Sequence, residues 1–204
     1  MLWNLAAGIS LALLTQCRSH AQTPLSSDLR AVVDRLSTDF GYRSADPCLV
    51  VSVTQQRLFL VQADRVVADY PVSTSCFGTG AQAGSNQTPL GVHRVAAKFG
   101  EGQPAGMVFE ARRPTGEVAK IYSDSTDVDE DLVTSRVLWL EGLEPGVNQG
   151  GSVDSRARYI YIHGTNEEGL IGRPASHGCV RMKNPDVIDL FGRVPVGSLV
   201  VIIP

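Results

Sequence analysis

Among the hydrophobic patterns along the chain, the sharpest alternation, aromatic with aliphatic, comes late, where Tyr159, Ile160, Tyr161, Ile162 and His163 follow one another as a strand candidate. Residues 48–53 form an apolar, β-branched run. Residues 57–61 continue that pattern, and residues 66–72 answer it across a turn at Ala63 and Asp64, which predicts an opening hairpin. Residues 88–95, 107–109 and 136–140 read as further strands, and residues 196–203 close the chain as a last one. The period changes twice. Leu29, Val32, Val33, Leu36 and Phe40 fall three and four apart, which predicts a helix capped by Ser26 or Ser27 and stopped at Gly41. A second helix is expected after Asn184 as N-cap, with Pro185 in its first position and Asp186 in its first turn. Val187, Ile188 and Phe191 give it an apolar face, Gly192 ends it, and its expected task is to support the loop at Cys179.

Composition narrows the class. The chain has 204 residues, enough for one domain plus short extras, and 43% hydrophobic with 19% charged residues excludes a disordered chain. A formal net charge of −3 without a basic stripe argues against a nucleic-acid partner. The 20 glycines and 11 prolines, spread along the chain, point to many turns and a mainly β fold with a few peripheral helices.

Residues 1–21 read as a targeting segment. The apolar stretch 5–14 is too short to cross a membrane and suits a signal-peptide core. Ser19, His20 and Ala21 offer a cleavage site giving a start at Gln22. Alternatively, residues 14–17 resemble a lipoprotein box, the signal ending at 16 and a lipid on Cys17 providing the only membrane attachment. A buried N-terminal helix is the plain alternative. The expectation is export to the periplasm or cell envelope, with 22–46 as linker and N-terminal helix and 47–204 as the main domain. Cys48, Cys76 and Cys179 then remain, and an odd number in an oxidising compartment leads to the expectation of a Cys48–Cys76 disulfide and a free Cys179. Two unpaired thiols acting as small apolar groups are the alternative.

The candidate chemistry lies between residues 159 and 182. His163 sits where the strand hands over to a loop, and Ser176, His177, Gly178 and Cys179 follow after Gly169, Gly172 and Pro174. A thiol with two imidazoles supplies a cysteine nucleophile and its base, and either histidine qualifies. In extended backbone, His177 and Cys179 would share a face; His163 would approach from a separate strand. Zinc accepts these ligand types, but the single-residue gap between His177 and Cys179 is cramped for one ion. Asp124, Asp127, Asp129, Glu130 and Asp131 miss the calcium-loop pattern and read as a solvated loop. His93 reads as a structural strand histidine, and Tyr161 and Trp139 as cleft-lining or core aromatics.

His163-Gly164-Thr165 followed by residues 176–182, Ser-His-Gly-Cys-Val-Arg-Met, resembles the signature of the L,D-transpeptidase (YkuD-type) catalytic domain. Residues 88–91 and 136–146 extend the likeness, which covers roughly residues 47–203. It implies a mainly β domain of sandwich-like or barrel-like mixed sheets. It implies Cys179 as nucleophile, His163 as base with the Gly164 carbonyl orienting its ring, and an oxyanion hole from the amides of His177, Gly178 and Cys179. Arg181 and Ser176 are expected at the bound stem peptide, with a structural ion pair as the competing role for Arg181. No metal or organic cofactor is implied. The implied reaction is peptidoglycan cross-linking: Cys179 acylated by a tetrapeptide donor stem with loss of D-alanine, then transfer to an amine. Water as acceptor would give a carboxypeptidase, and a lysine of an outer-membrane lipoprotein would give an anchoring enzyme. A vestigial wall-binding protein is the reading from another class. Carbapenems are expected to acylate the same thiol.

Overall fold

In the computed structural model, residues 22–204 are described; the expected cleavage site and Cys17 lie outside them. Two-residue β1 (Thr23–Pro24) precedes α1 (Ser27–Phe40). Ser26 caps α1, its hydroxyl accepting from the Leu29 N–H, and Gly41 ends it in the left-handed conformation. The strands β2 (Cys48–Ser52), β3 (Arg57–Gln62) and β4 (Arg65–Ser73) form the expected meander, with Ala63 and Asp64 both at positive φ in the tight turn. Then come β5 (Gly91–Phe99), β6 (Met107–Glu110), β7 (Arg113–Val118), β8 (Thr134–Gly142), β9 (Tyr161–Gly164) and β10 (Val180–Met182). Helix α2 (Asn184–Arg193) and β11 (Leu199–Ile203) finish the chain.

The strands run in the order β5-β11-β2-β3-β4-β10-β9-β8, and β8 pairs back to β5, so the sheet closes like a barrel. Closure removes the open edges. Its interior holds Leu49, Val51, Leu58, Leu60, Val72, Leu138, Leu140, Ile162, Val180 and Met182, with Val187 and Leu190 of α2. The alternate residues Cys48, Val50, Val61, Val92 and Val201 face outward beneath Leu29, Val33 and Leu36 of α1. Burial on both faces is why residues 48–53 show no polar alternation.

Several expectations need correction. Tyr159 stands outside β9, at φ 57°, and the regular strand begins at Tyr161. Asn184 does not cap α2 with its side chain, which turns inward to the site, and the helix runs one residue past Gly192. The hairpin partner β7 was not expected, because Arg113–Val118 is exposed throughout and carries no apolar alternation to reveal it. The Cys48–Cys76 disulfide is not formed. Cys48 lies level with Val61, and Val61 with Val66 at the start of β4, whereas Cys76 follows the far end of β4. Seven residues of strand separate those levels, about 23 Å at 3.3 Å per residue, far beyond disulfide reach.

Candidate active site

Strands β9 and β10 run parallel with Arg181 level with His163 and Val180 with Ile162. Extending that register by one residue puts Cys179 level with Tyr161. On the other side, Val137 and Trp139 of β8 oppose His163 and Tyr161. Because strand side chains alternate, Trp139, Tyr161, His163, Cys179 and Arg181 share one face, while Leu138, Ile162, Val180 and Met182 enter the core. Helix α2 packs on β8 and β9 from the core side and fixes the platform. The sequence Tyr-Ile-Tyr-Ile-His therefore assigns isoleucines to the core and the other side chains to the site.

Cys179 Sγ accepts the Tyr161 N–H at 3.3 Å and lies 3.5 Å from the Tyr159 carbonyl, to which its S–H donates. Desolvation pushes the thiol up to about 12, with the Tyr161 N–H partly offsetting it. The resting group is therefore protonated and needs a base to become nucleophilic.

His163 is 2% exposed. Its Nδ1 lies 2.7 Å from the Gly164 carbonyl. A carbonyl only accepts, so Nδ1 carries the proton and Nε2 keeps its lone pair. Burial lowers the imidazole below its ordinary range, while the Asp131 charge and the Gly164 carbonyl oppose that shift. The ring is neutral at neutral pH, in the tautomer of a base. A Cβ on Gly164 would stand 2.7 Å from Asn184 Oδ1 and from the Thr134 carbonyl, so only glycine fits that crowded turn.

The loop carrying the thiol is closed from within. Ser176, fully buried, donates its hydroxyl to the Cys179 carbonyl at 2.6 Å and accepts the Gly178 N–H at 3.2 Å. Thr88 donates to the Gly178 carbonyl at 3.0 Å. Gly178 adopts φ 122°, a conformation side-chain-bearing residues rarely take. That bend breaks the extended geometry expected to align His177 with Cys179. His177 instead lies half-exposed, its Nδ1 3.1 Å from Asp131 Oδ2 and its ring 5.6 Å from Phe77. Two expected roles change as a result. Ser176 is sealed from solvent and shapes the loop rather than meeting substrate, and the Gly178 amide is already engaged by Ser176.

Arg181 is also corrected. Its side chain is 2% exposed, with Nη1 2.9 Å from Glu167 Oε2 and Nη2 2.5 Å from Asp131 Oδ2. Nε has no hydrogen-bond partner, but the guanidinium is sealed from solvent and held by two carboxylates, which favours the structural ion pair over contact with substrate. Asp131, read from sequence as part of a solvated loop, is instead a member of the site. Desolvation raises its carboxyl, but attraction to His163 in its protonated form and to the Arg181 guanidinium outweighs this and holds it below the usual range. Sequence reading also missed Glu167 and the inward role of Asn184. The Asn184 amide donates to the Thr165 carbonyl at 2.9 Å and to Glu168 Oε1 at 2.7 Å, while its Oδ1 accepts from Thr134 and Ser135. Nothing in the sequence separates Asp131 from its acidic neighbours. Among the described residues no group of three or more His, Cys, Asp or Glu side chains is placed to hold a metal. His93 is fully buried, its ring nitrogens 3.0 Å from the Gly91 carbonyl and the Ser155 hydroxyl, away from the thiol. A cavity of about 700 Å³ between β1, the start of α1 and the end of β11 touches none of the site residues.

The family described as the YkuD L,D-transpeptidase catalytic domain matches residues 46–202. A putative L,D-transpeptidase, YqjB, of Bacillus subtilis (strain 168) is 51% identical over 45 residues, 22% of this chain and 26% of the relative. A probable L,D-transpeptidase, YbiS, of Escherichia coli (strain K12) is 54% identical over 43 residues, 21% of this chain and 14% of the relative. These alignments span well under two thirds of either relative. Among solved structures, an L,D-transpeptidase from Mycobacterium smegmatis superposes with TM-score 0.47 at 17% identity, covering 78% of this chain and 59% of that one. L,D-transpeptidase 3 from Mycobacterium tuberculosis, solved with a faropenem-derived adduct, gives 0.48 at 16% identity, covering 78% and 61%. With its family match extending over most of its length, the chain belongs to the YkuD L,D-transpeptidase catalytic-domain family.

Proposed function

We propose that this family member is a peptidoglycan L,D-transpeptidase working through a Cys179 acyl-enzyme. The observation that carries the reading is His163, locked by the Gly164 carbonyl into the tautomer of a base, on the same sheet face as a protonated Cys179. In this mechanism Nε2 of His163 takes the thiol proton as sulfur attacks the donor carbonyl. The amides of His177 and Cys179 are the oxyanion donors, since Ser176 occupies that of Gly178. The carbon–nitrogen bond to the terminal D-alanine breaks, His163 returns the proton to the departing amine, and a thioester remains. An acceptor amine, losing its proton to His163, then displaces sulfur to form the cross-link and restore the thiol. Residues 1–21 would deliver the protein to the cell envelope, where the stems are.

Intact-protein mass spectrometry with a disaccharide-tetrapeptide donor tests this. A Cys179-bound adduct lacking D-alanine, followed by a cross-linked dimer product, is the expected result, and Cys179→Ala should show neither. Tripeptide alone would identify water as the acceptor. Unchanged turnover by Cys179→Ala would refute the assignment.

A further inference from the structure

With Arg181 buried in ion pairs, a different guanidinium faces the nucleophile's surroundings. Strands β6 and β7 form a hairpin off the edge of β8, and Glu110 pairs with Arg113, leaving Ala111 and Arg112 as its two-residue tip. Both tip residues have positive φ, 45° and 68°, in a turn type that ordinarily takes asparagine and glycine. Arginine is uncommon at such a position.

The Arg112 side chain reaches back from the tip onto the aromatic wall of the site. Its guanidinium carbon lies 4.4 Å from the Trp139 ring centre and 5.3 Å from that of Tyr159, and Nη1 donates to the Tyr161 hydroxyl at 2.9 Å. Tyr159 and Tyr161 are the residues whose backbone groups hold the Cys179 sulfur. Cys179 itself packs against the cluster of Met107, Phe109 and Tyr161 at the root of this hairpin. Arg156, also over Trp139, has Glu141 for a partner at 3.7 Å. Arg112 has no carboxylate at ion-pair distance among the described residues, and its Nε and Nη2 make no hydrogen bond there. Stacking on aromatic faces leaves the edge of a guanidinium free, and that edge matches a carboxylate in two-pronged geometry.

We infer that Arg112, presented by the β6–β7 hairpin, binds a carboxylate of the donor peptide and sets the site's preference for acidic stems. The inference rests on the transpeptidase reading. Two carboxylates of a donor would satisfy it: that of the departing C-terminal residue, or an α-carboxylate upstream of the scissile bond.

The test is donor affinity on Cys179→Ala protein, with and without Arg112→Gln, followed by Trp139 fluorescence. Three peptides are compared: the free acid, one amidated at its C-terminus and one amidated upstream. A charged hydrogen bond lost at a partly buried site predicts about tenfold weaker binding of the free acid to the Arg112→Gln protein. One of the amidated donors should bind Cys179→Ala about tenfold more weakly yet bind both proteins equally, and which one it is identifies the carboxylate. Arg112→Lys should recover only part of the affinity. Equal affinity of the two proteins for the free acid, or no binding of any donor, overturns the inference. Arg112-dependent binding with no thioester on the Cys179 protein would retain it and sink the transpeptidase reading alone.

Discussion

Asp131 Oδ2 lies 2.5 Å from Arg181 Nη2 and thereby ties the acidic loop before β8 to the strand that follows Cys179. The same oxygen lies 3.1 Å from His177 Nδ1. One carboxylate therefore fixes the strand that follows Cys179 and the residue two before it, and its charge also reaches His163.

Asp131→Asn tests that coupling. Removing the anion withdraws a charge that raises the His163 pKa, so His163 should titrate lower and the acid limb of the kcat/KM profile should move to lower pH. Stability should fall by about 1–3 kcal/mol, less than for a sealed pair because the Asp131 side chain is 29% exposed. An acid limb that stays in place would show that Asp131 does not tune His163.

Arg181 and Glu167, at 2% and 1% side-chain exposure, form the sealed pair. Arg181→Leu strands the Glu167 charge in the interior and should cost about 3–5 kcal/mol in urea unfolding. The double variant Arg181→Leu, Glu167→Leu should recover most of the loss. A double variant as unstable as the single one would show that the guanidinium matters through packing rather than charge.

His93 should make stability pH-dependent. Burial lowers it from 6.5 to about 4, so the unfolded chain binds the proton more readily. Stability from the neutral ring is complete above about pH 6.5 and is lost as pH falls toward 4. Between pH 7 and 5 the loss should be about 2 kcal/mol at 1.36 kcal/mol per unit. His93→Gln should flatten this slope in denaturation midpoints compared at the two values; an unchanged slope would assign it to other groups.

Cys48 and Cys76 should both be alkylated in protein denatured without reductant. In the native state Cys76, exposed, should react first, while Cys48 stays protected because burial pushes its thiol up to about 11. Peptide mass spectrometry reads both, and a disulfide-linked peptide pair would contradict the strand register.

The sequence by itself determined most of the elements and which residues are candidates for the chemistry. Local spacing was enough for α1, whose stripe, cap and stop are contained within sixteen residues, and for the β2–β4 meander with its turn. It was enough to single out His163 and Cys179, which the structure brings onto one sheet face, because both lie in compact local patterns. It did not distinguish Asp131 from four acidic neighbours, Arg181 as an internal ion-pair member from Arg181 as a substrate ligand, or Arg112 from any exposed arginine. Those distinctions depend on which charges meet across strands distant in the chain, and on whether water is excluded where they meet. Closure of the sheet decided both. It placed a buried pair behind the thiol and left, on the aromatic wall in front of it, a guanidinium with no carboxylate partner among the described residues.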